Sequence, residues 1–223
     1  MDFQILPVLS QDAVAQLLAQ LARASFVDGK ATASGVAKQA KHNLQAERGE
    51  SVPFAALDEL IFSALRSSSE FQMFAYPRRI LPPSYSRYEP GMEYGTHIDG
   101  AIMGGGHPMR TDLAMTLFLS APDSYDGGEL IIEQSFGEHE IKLPAGEAVV
   151  YPASSLHRVA PVTRGARMAA VTWIQCSVRD ERLRAILYDL GRTSQDAEAA
   201  QDSAGLLLLS KCYHNLLRYA VDP

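Results

Sequence analysis

The sequence predicts a mainly β protein with helical flanks, an α+β arrangement, on two observations. Between residues 71 and 176, short apolar runs alternate with Gly and Pro punctuation such as Pro82-Pro83, Pro90-Gly91, Gly104-Gly105-Gly106, Gly127-Gly128 and Gly165. Many short strands with such turns suit a sandwich, barrel or jelly roll. Before and after that stretch, apolar residues recur at helical spacing. Sheets must cover their apolar faces, so the flanks read as cover for the core. The expectation is one domain over 1–223, with mainly helical support over 1–70, the β core over 71–177 and C-terminal helices over 178–223.

Residues 1–10 alternate weakly, as a short strand does. Ser10 and Asp12 are candidate caps for a helix from about 11, with Val14, Leu17, Leu18 and Leu21 on one face. Gly29 to Gly35 reads as a loop. A polar helix is expected over 36–48. Another is expected over 53–67, with Pro53 near its first turn and Leu57, Leu60, Ile61, Ala64 and Leu65 inward. Strands are expected over 71–76, 81–88, 113–120, 129–133, 138–143, 148–151, 157–159 and 167–176. A helix from Arg179 should end near Gly191. A last one, capped by Ser194 or Asp196, should run to about Tyr219.

The chain has 223 residues, enough for a sizeable core, and a formal net charge of −6. That charge argues against a general nucleic-acid binder or a membrane-surface protein. The two cysteines, Cys176 and Cys212, form neither a metal motif nor a disulfide framework. With no signal-peptide pattern, the cytoplasm is the expected compartment. The longest apolar stretch, Leu206 to Leu209, is too short to span a bilayer.

The chemistry concentrates in Arg87 to Asp99. A Pro90-Gly91 turn precedes a short run ending in His97-Ile98-Asp99. On an extended strand, residues two apart share a face, so His97 and Asp99 can aim an imidazole and a carboxylate at one point. Among the other histidines, His42, His139 and His214 read as solvent-facing, and His107 sits in a glycine-rich loop. His157 differs, because it follows the apolar run Val149 to Pro152 and can return beside His97. Two His and one carboxylate form the facial triad of non-haem Fe(II) oxygenases, with positions left open. Ten residues on, Arg167 lies in an apolar strand. A buried cation needs a partner, either a structural Asp or Glu or the far carboxylate of a dicarboxylate cosubstrate bound to the metal by its 2-oxo acid end. The neighbouring His/Asp/His set favours the cosubstrate.

Several ordered blocks carry a resemblance: Arg87-Tyr88-x-x-Gly91-Met92-x-Tyr94-Gly95-x-His97-x-Asp99, Arg110 to Leu113, Thr116 to Ser120, Tyr125 to Leu130, Leu143 to Gly146, Tyr151 to Val159, Pro161 to Arg167 and Trp173 to Gln175. Together the chain resembles the PKHD-type hydroxylases, a bacterial branch of the prolyl 4-hydroxylase-like Fe(II)/2-oxoglutarate dioxygenases. The match is dense from about 71 to 190 and looser before. The resemblance implies a double-stranded β-helix, Fe(II) ligation by His97, Asp99 and His157, and a hold by Arg167 on the 5-carboxylate of 2-oxoglutarate. It places Tyr88 near the cosubstrate. Trp173, Thr116 and Tyr94 are candidates to line the pocket, and ascorbate is a candidate reductant.

The implied reaction consumes 2-oxoglutarate and O2, releases succinate and CO2, and hydroxylates a small-molecule or peptidyl substrate. Two other classes stand beside it: a zinc hydrolase on the same ligands, which has no need of Arg167, and a non-enzymatic iron or 2-oxoglutarate sensor. The glycine-rich segment Ala101 to Met109 departs from the family pattern and is a candidate substrate lid. The C-terminal helices are a candidate homodimer surface.

Overall fold

The computed structural model describes residues 3–32 and 35–221. β1 (Gln4–Pro7) leads into α1 (Gln11–Leu21), where Ser10 Oγ accepts from the Ala13 N–H. Then come β2 (Phe26–Asp28), a 3-10 turn over Gly29–Thr32, α2 (Gly35–Ala40), β3 (Lys41–His42) and β4 (Leu44–Ala46). The 3-10 turn takes up the start of the expected loop, whose residues 33 and 34 lie outside the described residues.

The helix expected over 36–48 is therefore overturned beyond residue 40. Its second half is drawn out into ladders, Lys41 opposite Tyr94 and Leu44 opposite Arg87. Backbone pairing to two sheet edges outweighs the weak helical preference of a polar segment.

α3 (Phe54–Ser67) buries Leu57, Ile61 and Leu65, and α4 (Ser69–Ala75) follows at once. The strand expected over 71–76 is thus a helix. Ser68 Oγ accepts from the Phe71 N–H, and Phe71, Phe74 and Ala75 share one buried face. Tyr76 ends it in a left-handed conformation, φ 43°.

The β region holds β5 (Pro77–Ile80), β6 (Ser84–Tyr88), β7 (Glu93–His97), β8 (Ile102–Met103), β9 (Met109–Arg110), β10 (Leu113–Phe118), β11 (Asp126–Gly127), β12 (Leu130–Gln134), β13 (Gly137–Ile141), β14 (Glu147–Pro152), β15 (His157–Val159), β16 (Val162–Arg164) and β17 (Arg167–Cys176). α5 (Glu181–Ala199) and α6 (Ser203–Ala220) close the chain. The expected stop at Gly191 does not occur. There the glycine lets α5 lie close to Met73, since a Cβ would stand 3.1 Å from the Met73 sulfur. Ser194 and Asp196 fall inside α5. Asp202 caps α6 instead, accepting from the Gly205 N–H at 3.0 Å.

The larger sheet runs β1-β14-β10-β17-β6-β4-β2, with β5 also on β17, and the smaller runs β13-β12-β15-β7-β3. Period-two alternation gives the larger sheet two apolar faces. Leu113, Met115 and Leu117 of β10 join Leu17, Ile61 and Phe71 in the core beneath the helices. Ala114 and Phe118 turn the other way and pack with Leu130, Ile132 and Val159 of the smaller sheet. This is a two-sheet jelly-roll sandwich, covered on one side by helices. No helix among the described residues is long and apolar enough to cross a membrane.

Candidate metal centre and active site

The smaller sheet assembles the donor set. β7 and β15 are antiparallel neighbours in register His157 opposite His97, so two residues 60 positions apart in the chain face each other. Their ring centroids are 4.3 Å apart. Asp99 lies just past the end of β7, and one donor atom from each of His97, Asp99 and His157 lies within 4.8 Å of the others. The Nδ1 atoms of His97 and His157 sit 2.8 and 3.0 Å from the carbonyl oxygens of Gly95 and Ser155. A carbonyl only accepts, so each Nδ1 carries the proton and each Nε2 offers a lone pair. Such carbonyl partners fix tautomer and ring orientation in metal sites.

Electrostatics point the same way. Burial, with the neighbouring His157, pulls the His97 pKa down to about 4, so the imidazole is neutral at ordinary pH. Burial also raises the Asp99 carboxyl above its usual range, with His157 opposing. Asp99 Oδ2 is buried without a hydrogen-bond partner. Three acceptor atoms converging in this way form a donor set that fits a metal cation.

The cavity beside them has a volume of about 840 Å³. Its far wall is built by β17 and β6, whose register sets Arg167 opposite Tyr88. Arg167 is 1% exposed, and its Nε and Nη2 have no hydrogen-bond partner. No carboxylate forms an ion pair with it among the described residues. Its neighbours include two π faces, with the guanidinium carbon 5.2 Å from the Tyr88 ring and 5.1 Å from the Phe118 ring, and the Tyr125 hydroxyl, which lies beside it without a full hydrogen bond. A buried cation with no acid of its own can be balanced by an anion that enters the cavity. Gly128 makes the space, for a Cβ there would lie 3.0 Å from Arg167 Cδ.

Every residue singled out from the sequence meets at this cavity: His97, Asp99, His157, Arg167, Tyr88, Trp173, Thr116 and Tyr94 all line it. The Tyr94 ring stacks on His97 with centroids 3.6 Å apart. The Trp173 indole N–H points beside Asp99 without a full hydrogen bond. Ile102, Met103 and Gly104 of the expected lid line the mouth, whereas His107 is absent from the lining.

Sequence reasoning missed Tyr151, Lys41, Asn43 and Gln45, which also line the cavity. Tyr151 was accessible, because it alternates with Val150 in a recognised strand. The other three were hidden by the helix expected there. Burial lowers the Lys41 ammonium to about 8, which still leaves it charged near neutrality.

Comparison with known proteins now decides the family. The sequence model of the 2OG-Fe(II) oxygenase superfamily matches residues 83–175. A PKHD-type hydroxylase of Klebsiella pneumoniae is 48% identical over 219 residues, 97% of each chain. The chain belongs to the PKHD-type hydroxylases. Another, from Methylobacterium nodulans, is 46% identical over 216 residues, 95% of each chain. Among solved structures, a Pseudomonas putida prolyl-4-hydroxylase superposes with a TM-score of 0.56 at 21% identity, covering 78% of this chain and 92% of that one. A viral collagen prolyl hydroxylase from Paramecium Bursaria Chlorella virus-1, in a 2-oxoglutarate complex, gives 0.55 at 17%, covering 79% and 96%. These two share the fold. As a member of the family, this PKHD-type hydroxylase is an Fe(II)- and 2-oxoglutarate-dependent dioxygenase, and the zinc-hydrolase and sensor readings fall away.

Proposed function

We propose that His97, Asp99 and His157 hold the Fe(II) and that Arg167, with Tyr88, seats the far carboxylate of 2-oxoglutarate, for hydroxylation of a small-molecule or peptidyl substrate. The observation that carries this reading is the pairing of three convergent ligand atoms, of which Asp99 Oδ2 is buried and unsatisfied, with a buried guanidinium that has no acid of its own.

When bound, the iron and 2-oxoglutarate supply the oxidising chemistry: O2 is reduced as the 2-oxo acid becomes succinate and CO2, and a substrate C–H bond becomes C–OH. The chain's own residues orient and enclose. Gly95 and Ser155 fix both imidazoles through their carbonyls, so the Nε2 lone pairs face inward. Tyr94 stacks on His97 and restrains that ring. Arg167 fixes the length and direction of the diacid from a strand, which is more rigid than a loop. Phe118, Leu130 and Val159 keep water from the deep end.

Asp99→Ala should abolish 2-oxoglutarate consumption, including any turnover without substrate. Anaerobically purified protein should take up Fe(II) in a one-to-one ratio, and Asp99→Ala should not. Full turnover in Asp99→Ala would overturn the assignment. A screen for succinate release, with mass spectrometry for a gain of one oxygen, identifies the substrate.

A further inference from the structure

A second buried cation, Lys41, faces the same cavity from the smaller sheet, where it pairs with Tyr94, whereas Arg167 stands on the larger sheet opposite Tyr88. Lys41 is 6% exposed, and no carboxylate pairs with it among the described residues. Its Nζ donates to Thr32 Oγ1 at 3.0 Å and stands 5.3 Å from the Tyr94 ring centroid, which leaves donors to spare. Asn43 is 2% exposed and lies beside the Tyr88 hydroxyl, but neither its Oδ1 nor its Nδ2 makes a full hydrogen bond. The two side chains close around Gly29: a Cβ there would lie 1.9 Å from Asn43 Oδ1 and 3.1 Å from Lys41 Cε. Buried polar atoms left bare in a cavity wall are costly unless a ligand satisfies them.

Charge balance says what that ligand carries. The charged residues lining the cavity are Lys41, Asp99 and Arg167. On the reading above, Fe(II) and the two side-chain cations bring one more positive charge than Asp99 and the two carboxylates of 2-oxoglutarate neutralise. In a low-dielectric enclosure that excess favours a further anion. Lys41 and Asn43 also lie outside residues 83–175, the part matched by the superfamily model. At the mouth, Ile98, Ile102 and Leu156 are exposed apolar residues.

We propose that Lys41 and Asn43 form a substrate seat that takes a carboxylate, so that this enzyme hydroxylates an acid whose apolar body passes Ile98, Ile102 and Leu156. The proposal rests on the metal and cosubstrate assignment given above.

Isothermal titration on protein loaded with Ni(II) and saturating 2-oxoglutarate tests it without turnover. Hexanoate should bind about tenfold to a hundredfold more tightly than hexanamide, the range for a hydrogen bond to a charged group. Lys41→Met should remove that preference, and Asn43→Asp should weaken hexanoate while sparing hexanamide. Tetra-alanine with a free or an amidated C-terminus repeats the comparison for a peptidyl acid, and a free-acid preference in either pair supports the seat. Equal binding of acid and amide in both pairs overturns the proposal, and this comparison needs no variant to fold. Loss of 2-oxoglutarate affinity in Lys41→Met, with hexanoate binding retained, also overturns it, by moving Lys41 to the cosubstrate. Failure of the unaltered, metal-loaded protein to bind 2-oxoglutarate would instead sink the underlying assignment.

Discussion

Replacing Arg167 by Met should move two measurements in opposite directions. In the ligand-free protein the guanidinium is buried with two nitrogens unsatisfied. An apolar side chain of similar length in place of a buried ionic group is neutral or stabilising by about 1–4 kcal/mol. The two ring faces at 5.2 and 5.1 Å return part of the desolvation cost, about 1–2 kcal/mol. The net expectation is a ligand-free protein of equal stability, or more stable by about 1 kcal/mol. With 2-oxoglutarate the sign reverses, because the mutant leaves a buried carboxylate unpaired. That costs about 2–4 kcal/mol, or about thirtyfold to a thousandfold in affinity. Denaturant unfolding of the metal-free protein gives the first quantity, and titration of 2-oxoglutarate into the Ni(II) form gives the second. A large loss of ligand-free stability would mean that Arg167 is a structural ion-pair residue. Affinity within threefold of the parent would mean that the diacid sits elsewhere.

Gly128→Ala should disturb the same seat sterically. Gly128 has φ +68°, and an added Cβ would press on Arg167, Val162 and Tyr125 at 3.0–3.1 Å, so a loss of about 1–3 kcal/mol in stability, with weaker 2-oxoglutarate binding, is expected in unfolding and titration experiments. Lys41 sets a pH signature in the metal-free protein. Its folded pKa is lowered from 10.5 to about 8, so the unfolded chain binds more protons across that window and stability should rise as pH climbs from 8 to 10.5, by roughly 3 kcal/mol relative to Lys41→Met measured in parallel. Asp58→Ala tests the support of the fold alone. Asp58 accepts both terminal nitrogens of Arg48 and the Tyr85 hydroxyl beneath the larger sheet, so a loss of about 3 kcal/mol is expected by denaturant unfolding with the metal affinity intact.

The parts of the molecule legible in its sequence are those where local pattern and tertiary context agree. β15 and β17 begin and end at the residues that alternation indicates, because both lie inside sheets whose faces are apolar. The donor set was legible because His97-x-Asp99 is a local spacing and His157 follows an apolar strand. The failures have separate physical causes. Residues 71–76 are as apolar as a strand, but Ser68 supplies a cap and the residues bury at helical spacing. Gly191 carries a stop signal, yet close packing on Met73 gives a glycine there another use. Arg167's lack of an acidic partner is invisible to any pattern, because it depends on what every other strand places nearby.

The largest misreading, a helix through 41–46, and the largest omission in the site, the Lys41–Asn43–Gln45 wall, have one cause. This segment crosses between sheets: β3 pairs with β7 of the smaller sheet, and β4 pairs with β6 of the larger. In crossing, it carries Lys41 beside Tyr94, opposite it in the ladder, and carries Gln45 to Ser86. Period-two alternation then puts Lys41, Asn43 and Gln45 on one side of the chain, and that side faces the cavity. In a helix Lys41 and Gln45, four apart, would share a face, but Asn43 would turn to the opposite side and the three could not form one wall. The conformation that defeats the sequence pattern is thus the one that gives the cavity its second cation. A substitution that restored helical preference at 41–46 should therefore disturb the site before it disturbs the core.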